Sequence, residues 1–272
     1  PTQEQLDRCV SAIRRALADA ALAAGDRVIA TARDPRSLAE LEQHDACRTA
    51  ALDVTDPAMA EEVIEQAGEF DILVNNAGYG LLGAVEECSE EQARRSMETH
   101  FFGPLRLIRA ALPMMRRRGS GHLINISAAA AIDNYAGLGI YGAAKAALEQ
   151  LSESLRRELD PLGIRVTLGE PGPCRTGFLG RGLEEAESKI ADDEATVGKF
   201  AQLLETIDGR QPGDPALAAR AILKIAEAES PPLRLVLGKY ANDKVSRSAA
   251  DLEKERLAWL SVGLPTDFSA GD

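Results

Sequence analysis

Six apolar runs with little polar alternation recur along the chain from Arg27 onward, and segments with helical spacing separate them. The runs are RVIATA (27–32), CRTAALDV (47–54), FDILVNNAG (70–78), GHLINIS (121–127), IRVTLGEPG (164–172) and LRLVLG (233–238). Strands that are buried on both faces carry such continuous apolar runs, which are typical of parallel sheets covered by helices. We therefore predict an α/β fold with a doubly wound parallel sheet and long helices over 90–117 and 141–159.

The N-terminal residues have the spacing of a helix. Thr2 and Gln5 stand three residues apart, as the two members of a capping box do. The apolar residues that follow at helical intervals are Leu6, Val10, Ile13 and Leu17. We predict one helix from about Gln3 to Ala24, ended by Gly25 as its C-terminal cap.

The 272 residues suffice for a single domain, which we place at 1–272. Residues 174–212 interrupt the alternation of strands and helices with a mixture of charges, glycines and a few apolar residues. Because α/β folds place binding loops after the carboxyl ends of their strands, we predict that this insertion is a substrate lid. The alternative is a surface excursion without a role in binding.

The charge and the composition limit the possible partners. The net charge of −12 disfavours nucleic acid and anionic membrane surfaces, and no apolar run approaches the length of a membrane span. The four cysteines are scattered, and the N-terminus lacks the pattern of a signal peptide, so we expect a cytoplasmic protein. The three histidines form no ligand motif, and we expect no metal.

Five short motifs occur in an order and at a spacing that resemble one family. They are ATARDP around Arg33, ALDVTD around Asp53, NNAG (75–78), YGAAK (141–145) and PGP (171–173). From Gly25 onward the chain is similar to the short-chain dehydrogenase/reductase family, and each motif alone would be a weak signal. The resemblance implies a Rossmann-like fold.

The family assigns acid/base work to a Tyr–Lys pair, which here is Tyr141 and Lys145. Residues four apart on a helix are neighbours, so Lys145 sits beside Tyr141. We expect the lysine charge to lower the pKa of the phenol. The alternative is that both are helix-surface residues without a role.

The glycine-rich turn that binds a dinucleotide pyrophosphate in this family has no counterpart here. The family pattern T-G-x-x-x-G-x-G falls on Asp7, Arg8, Ala12 and Arg14, with no glycine at any of its three glycine positions. Glycines are needed in that turn for positive φ angles and for close approach of the phosphates. The first strand of the family fold is apparently replaced by the N-terminal helix. Either its neighbours close the gap, or another segment or subunit fills it.

Three residues stand at family positions that contact the cofactor. Arg33 and Asp53 belong to the adenosine half and Asn75 to the nicotinamide side. Without the glycine turn we interpret them as vestigial. We therefore expect no cofactor, and NADP(H) if one binds.

The catalytic positions also differ from the family. The family serine that polarises the substrate carbonyl is Ala128, the glycine shortly after it is Ala131, and the family asparagine is His100. A histidine titrates near neutrality, so we predict His100 as a catalytic proton relay beside Tyr141 and Lys145, against the alternative of a structural polar residue. The predicted substrate pocket consists of Ala128, Ala131, Tyr135, Pro171, Gly172 and Phe178.

Three functions are compatible with this pattern. The first is non-redox acid/base chemistry by Tyr141 and Lys145, namely isomerisation, dehydration or cyclisation of a small, mostly apolar, oxygenated substrate. The second is an NADP-dependent oxidoreductase that reduces a ketone or oxidises an alcohol. The third is a catalytically silent partner subunit. The missing glycine turn and Ala128 favour the first function, non-redox acid/base chemistry.

The expected partners are a small-molecule substrate and other copies of the chain, with no nucleic acid and no membrane. Members of the family pair through their long helices, which are 90–117 and 141–159 in this sequence. The small residues of YGAAKAALEQL allow close helix packing. We therefore expect a homodimer or a homotetramer.

Overall fold

The computed structural model describes residues 11–180 and 182–268, in which strands and helices alternate. The helices are α1 (Ser11–Ala23), α2 (Pro57–Ala67), α3 (Glu90–Met97), α4 (Gly103–Arg118), α5 (Ala129–Ile132), α6 (Gly139–Leu159), α7 (Val197–Ile207), α8 (Pro215–Ala226), α9 (Lys239–Ala258) and α10 (Leu260–Gly263). The strands are β1 (Val28–Ala32), β2 (Cys47–Ala51), β3 (Ile72–Asn75), β4 (Gly80–Leu82), β5 (Gly121–Ile126), β6 (Ile164–Pro171), β7 (Leu183–Glu185) and β8 (Arg234–Leu237). Each of the six apolar runs contains one strand, so the predicted α/β fold is confirmed.

The larger sheet has four strands in the order β3–β5–β6–β8, and every neighbouring pair is parallel. Leu123 of β5 is fully buried and packs with residues of α4 and α6 on one face of the sheet. Its neighbour Ile124 points to the other face, where it packs with Ile222 of α8 and Leu17 of α1. Because helices cover both faces, the sheet is doubly wound, as the continuous apolar runs predicted.

A second sheet consists of the parallel pair β1–β2 and is separated from β3 by a gap. Within the described residues, β1 pairs with β2 alone and β3 with β5 alone, so each has an edge without a neighbouring strand. Both edges line one cavity of about 1270 Å³. The neighbours therefore do not close the gap.

Helix α1 precedes β1, as predicted, and packs against α8. The part of the predicted helix from Gln3 to Val10 lies outside the described residues. At the other end, the amide of Asp26 donates to the Ala21 carbonyl and that of Gly25 to Leu22. With φ of +91° at Gly25, this is the glycine-dependent helix end that the sequence predicted.

The predicted helix 90–117 is interrupted. Residues Glu98–Phe102 form a π-helical turn between α3 and α4, and the Gly103 amide donates to the Glu98 carbonyl five residues earlier. Pro104 follows and has no amide hydrogen to donate, which interrupts the regular pattern of hydrogen bonds. A π-turn inside a helix is common at functional sites, and this one contains His100.

Strand pairing, a hydrogen bond and side-chain packing hold the insertion 174–212 against the rest of the protein. Its strand β7 pairs in parallel with β4. The carboxylate of Glu87 accepts hydrogen bonds from the amides of Ile190 at 2.7 Å and Ala84 at 2.8 Å, which lower the pKa of that carboxyl. Its helix α7 packs beside Tyr141 through Phe200 and Leu204. The segment therefore covers the predicted site, and its opening as a lid remains a prediction.

Candidate active site

Tyr141 and Lys145 lie one turn apart on α6, and both are buried. The Lys145 Nζ donates to the carbonyl oxygen of Ile126, the last residue of β5, at 2.8 Å. Burial lowers the pKa of Lys145 to about 8, and the nearby carboxylate of Glu149 opposes that shift. The lysine is therefore held between the sheet and the helix with a pKa close to neutrality.

The prediction that Lys145 lowers the pKa of Tyr141 is not met. Burial raises the pKa of the Tyr141 phenol above its ordinary value. The cause is that the phenol is only 7% exposed and lies among apolar side chains, which disfavour the phenolate. The Tyr141 phenol is therefore protonated at neutral pH.

His100 lies between Tyr79, which lines the cavity, and Tyr141. Its ring lies 5.4 Å from the ring of Tyr79 and 5.2 Å from that of Tyr141, edge-on to the latter. The Nε2 atom is 2.8 Å from the Tyr79 carbonyl oxygen, so Nε2 carries the hydrogen and Nδ1 carries a lone pair. Nδ1 is buried and has no hydrogen-bond partner among the described residues.

The expectation that His100 titrates near neutrality is wrong. Burial and the charge of Lys145 hold its pKa well below the ordinary value, and the hydrogen bond to Tyr79 offsets only part of this. His100 is therefore neutral at physiological pH. A neutral imidazole accepts a hydrogen bond through Nδ1 rather than carrying a charge.

Gly78, the glycine of the NNAG motif, makes room for this ring. A Cβ atom at Gly78 would lie 2.6 Å from His100 Cε1, 2.8 Å from its Nδ1 and 3.7 Å from Lys145 Nζ. His100 Nδ1 and Lys145 Nζ thus both lie near the position that a side chain at Gly78 would occupy. A glycine is required at this close approach.

Three of the six predicted pocket residues surround Tyr141. Ala128, Tyr135 and Phe178 pack in the same apolar cluster, and the ring of Phe178 lies 5.8 Å from that of Tyr141. Tyr135 stacks on Phe200 of α7 with centroids 5.1 Å apart. The insertion therefore covers Tyr141 with aromatic side chains.

The other three predicted pocket residues lie nearby in the fold. Ala131 is in α5, which follows the carboxyl end of β5, and Pro171 is the last residue of β6. Gly172 donates its amide to the Leu237 carbonyl and lies against Ala241 of α9. Carboxyl ends of parallel strands are the usual place for a ligand in this architecture.

The predicted cofactor residues line the cavity at the carboxyl ends of three successive strands. Arg33 follows β1, Asp53 follows β2 and Asn75 ends β3. The Asp53 carboxylate accepts hydrogen bonds from the amide and the hydroxyl of Thr55. Asn75 donates to Asn125 at 2.8 Å, while its buried Oδ1 has no partner among the described residues.

These residues fit the two ends of a dinucleotide. A guanidinium at Arg33 suits a phosphate on the adenosine ribose, and the open Oδ1 of Asn75 suits a polar group at the other end. The middle lacks a glycine turn, because the sequence has no glycine before Gly25. Arg14 lines the cavity there and donates to the Thr31 carbonyl at 2.9 Å, whereas Arg8 lies outside the described residues.

A buried acidic cluster behind Lys145 was missed by the sequence analysis. Glu149 accepts a hydrogen bond from the Ser127 hydroxyl at 2.6 Å and lies 3.5 Å from a guanidinium nitrogen of Arg234. Glu170 is fully buried, and its carboxylate lies 3.3 Å from the same guanidinium. The signal was a glutamate within the apolar run IRVTLGEPG.

Burial, together with the charge of Glu149, raises the pKa of Glu170 to about 7. Burial also raises the pKa of Glu149, against the hydrogen bond from Ser127 and the charge of Arg234. One guanidinium thus faces two buried carboxyls. The cluster begins one helical turn after Lys145, at Glu149.

Two further structural findings concern the predicted partners. None of the described helices combines the length and the apolar character that a membrane span needs. Within residues 11–180 and 182–268, no three metal-binding side chains come together.

The chain is similar to known proteins over most of its length. A family model described as short chain dehydrogenase matches residues 9–186. The oxidoreductase BOA17 of Botryotinia fuckeliana is 33% identical over 256 residues, which cover 92% of this chain and 93% of that protein. A short-chain dehydrogenase structure from Streptomyces avermitilis is 43% identical with a TM-score of 0.87, covering 93% of this chain and 94% of that one. The closed form of a serine dehydrogenase complexed with NADP+ is 29% identical with a TM-score of 0.70, covering 82% and 89%.

The prediction of non-redox chemistry is wrong. Relatives at this level of identity carry the name oxidoreductase, and a structure of this fold is complexed with NADP+. The expectation that no cofactor binds has no support from these proteins either. The absent glycines and Ala128 were misleading signals, whereas the retained Tyr141 and Lys145 agree with the relatives.

The match of the family model covers well over half of the chain, and the relative from Botryotinia fuckeliana covers nearly all of it. The Tyr–Lys pair of α6 and the cavity at the carboxyl ends of β1, β2 and β3 agree with these matches. The chain belongs to the short-chain dehydrogenase/reductase family.

Proposed function

We propose that this chain is an NADP(H)-dependent oxidoreductase that interconverts a ketone and an alcohol. One arrangement carries the proposal: Tyr141 and Lys145 lie one helical turn apart behind His100, next to a cavity that Arg33 and Asn75 line. Relatives named oxidoreductases and the NADP+ complex of a similar fold support it.

Arg33, Asp53 and Asn75 are the residues that would hold the dinucleotide. The guanidinium of Arg33 favours the phosphorylated form over the unphosphorylated one, because a second anion at the ribose pairs with a fixed positive charge. Hydride transfer is the chemistry that the nicotinamide supplies when it is bound.

The chain's own residues handle the proton. Tyr141, whose raised pKa keeps it protonated at neutral pH, donates its hydroxyl hydrogen to the carbonyl oxygen during reduction. The ammonium of Lys145 stabilises the phenolate that remains. The Nδ1 lone pair of His100 accepts a hydrogen bond from the groups that return a proton to Tyr141, and so orients them.

The surroundings of Tyr141 favour an apolar substrate. Leu82, Leu138, Phe178 and Phe200 pack around it. Ala128 offers no hydroxyl to the carbonyl, so substrate orientation depends on shape and on Tyr141. Phe178 covers the phenol and has to move before a substrate reaches it.

The test is reduction of a series of apolar ketones, followed by the loss of NADPH absorbance. Tyr141→Phe removes the donated proton and should lower kcat by at least about a hundredfold, as expected for loss of a general acid. Trp259→Phe is the control, since Trp259 is an exposed aromatic residue outside the proposed site, and it should retain activity. Equal rates for Tyr141→Phe and the unchanged protein would refute the proposal.

A further inference from the structure

The peptide group that joins Ile126 to Ser127 holds Lys145 in place. Its carbonyl accepts the hydrogen bond from Lys145 Nζ at 2.8 Å, and its amide donates to the Gly169 carbonyl at 2.8 Å. Because a trans peptide group is planar, this carbonyl and this amide point in opposite directions and cannot turn independently. The orientation of Ser127 therefore fixes the direction from which Lys145 reaches the Ile126 carbonyl.

The Ser127 side chain is fixed by Glu149. Its hydroxyl donates to one carboxylate oxygen at 2.6 Å, and the two residues are only 3% and 5% exposed. A hydrogen bond between a hydroxyl and a carboxylate is stronger than one between neutral groups, and a buried site strengthens it further. Ser127 is thus held at its side chain as well as at its amide.

Helix α6 contacts this peptide group and its side chain at two points. Lys145 and Glu149 are four residues apart and lie on the same face of the helix. Lys145 binds the carbonyl of Ile126, and Glu149 binds the hydroxyl of Ser127. Two such contacts fix both the rotation and the axial position of the helix against the end of β5. They therefore also fix the direction of the helix face that carries Tyr141.

Arg234 of β8 holds the Glu149 carboxylate from the other side. A guanidinium nitrogen lies 3.5 Å from the carboxylate oxygen that Ser127 does not contact. The same guanidinium lies 3.7 Å from Glu153 and 3.3 Å from Glu170. A hydroxyl donor and a cation together offset the cost of burying a carboxylate. Glu149 is therefore built into the site in one orientation.

We propose that Glu149 is a positioning residue of the active site, which holds the Lys145 ammonium beside Tyr141. It acts through the Ser127 hydroxyl and the Ile126 carbonyl and does not itself react. The inference rests on the proposed function, since Lys145 affects the rate through the proton that Tyr141 transfers. It has two parts: the hydrogen bond to Ser127 positions the lysine, and the carboxylate charge favours the ammonium.

Two substitutions of Glu149 separate the hydrogen bond from the charge. Glu149→Gln retains an acceptor for the Ser127 hydroxyl, so kcat for ketone reduction at pH 6 should stay within about threefold of the unchanged protein. Glu149→Leu removes the acceptor and should lower kcat by at least about tenfold, because Lys145 is no longer held in its productive position. Equal losses in the two variants would overturn the positioning role.

Ser127→Ala removes the other partner of the same hydrogen bond and keeps the Glu149 charge. It tests the hydrogen bond even if Glu149→Leu does not fold. It should lower kcat at pH 6 as much as Glu149→Leu, and the double variant should lose no more than either single one, because all three lack the same interaction. Losses that multiply in the double variant would show that the two residues act independently and would contradict the proposal.

The charge of Glu149 is tested by the titration of Lys145. Among the described residues, the titratable groups that face this lysine are Tyr141 and Glu149 of α6 and His100 of the π-helical turn. A nearby negative charge favours the ammonium, so Glu149→Gln should lower the pKa of Lys145. NMR of protein with 13C-labelled lysine side chains should place the Lys145 titration at a pH lower by at least about 0.5. A titration that does not move would overturn the role of the charge.

Glu170 is the next titratable group of the cluster, and its pKa is about 7. The titrations are therefore compared in a Glu170→Gln background, which removes this second carboxyl from the pH profile. Glu158→Gln is the matched control, since Glu158 is an exposed glutamate of α6 that also accepts a hydrogen bond from a serine, Ser154, at 2.8 Å. It should leave kcat and the Lys145 titration unchanged.

The NMR titration needs no substrate and so separates the two proposals. A shifted Lys145 titration in a protein that reduces no ketone would refute the proposed function and retain the effect of Glu149 on the lysine. An active protein in which Glu149→Leu and Ser127→Ala keep full kcat would refute the positioning role alone.

Discussion

The His100 ring lies edge-on to the Tyr141 ring, with 5.2 Å between their centroids, while its Nε2 atom faces the Tyr79 carbonyl. This leaves Nδ1 as a buried acceptor without a partner among the described residues. A neutral histidine at this place offers the site a hydrogen-bond acceptor and no charge.

The first prediction concerns His100. His100→Leu removes the Nδ1 acceptor and leaves the Tyr79 carbonyl without its donor, so kcat should fall by at least about tenfold. His100→Asn, which retains both a donor and an acceptor, should stay within about threefold of the unchanged protein. Steady-state kinetics with an apolar ketone measures both. A similar loss of kcat in the two variants would show that kcat depends on the packing of the His100 ring and not on its hydrogen bonds.

The second prediction concerns the pH dependence of activity. The pKa of Lys145 is about 8, so the ammonium is present below that pH and is lost as the pH rises through it. The value of kcat/KM for ketone reduction should fall above about pH 8. Lys145→Arg keeps the charge at all accessible pH values and should move this fall to higher pH, whatever its effect on the maximal rate.

The control for this pH profile is Lys189→Arg, which replaces an exposed lysine of the insertion. Its profile should match that of the unchanged protein. A profile of Lys145→Arg that also breaks at pH 8 would assign the titration to another group.

The third prediction concerns stability. Glu170 has a pKa of about 7 in the folded protein, above its ordinary value of 4.5, so the folded state binds the proton more tightly than the unfolded state. The stabilising effect of that proton is present below pH 4.5 and is lost as the pH rises through 7. Glu170→Gln should therefore increase the free energy of unfolding at pH 8 by about 1–3 kcal/mol relative to the unchanged protein.

Urea denaturation at several pH values measures this difference. The difference between the two proteins should shrink as the pH falls from 8 to 5. Glu153→Gln, a more exposed partner of Arg234, should show a much smaller effect. A Glu170→Gln protein that is less stable at pH 8 would show that the ion pair with Arg234 outweighs the cost of burial.

The strands of this fold could be predicted because a strand that is buried on both faces carries a continuous run of apolar residues. Each apolar run became one strand, whereas the β4–β7 pair was missed, since three-residue strands depend on contacts between Leu82 and the distant Glu185. Whether β1 and β3 would lie side by side depended on the packing of α1 and α8 and could not be predicted from the sequence.

In the site, local spacing was sufficient for Tyr141 and Lys145, which are four residues apart on one helix. The direction of their pKa shifts was not predictable, because burial of Tyr141 by Phe178 comes from a distant insertion. The ion pair of Glu170 and Arg234 was not predictable either, because the two residues come together from the neighbouring strands β6 and β8.

The fourth prediction concerns the cover over Tyr141. Phe178→Ala removes the ring that lies 5.8 Å from the phenol and should lower KM for bulkier ketones by about threefold to tenfold, with a smaller effect on small ones. Leu203→Ala, which changes an exposed residue of α7, is the control and should leave KM unchanged for bulky and for small ketones. An equal change for all ketones would argue against a role in substrate size selection.

The central claim is that the cavity at the ends of β1, β2 and β3 binds NADP(H). The most direct measurement is a calorimetric titration of the protein with NADPH and NADH, together with the Arg33→Ala variant. The proposal predicts that NADPH binds at least about tenfold more tightly than NADH and that Arg33→Ala removes this preference. No binding of either nucleotide at about 1 mM would contradict it.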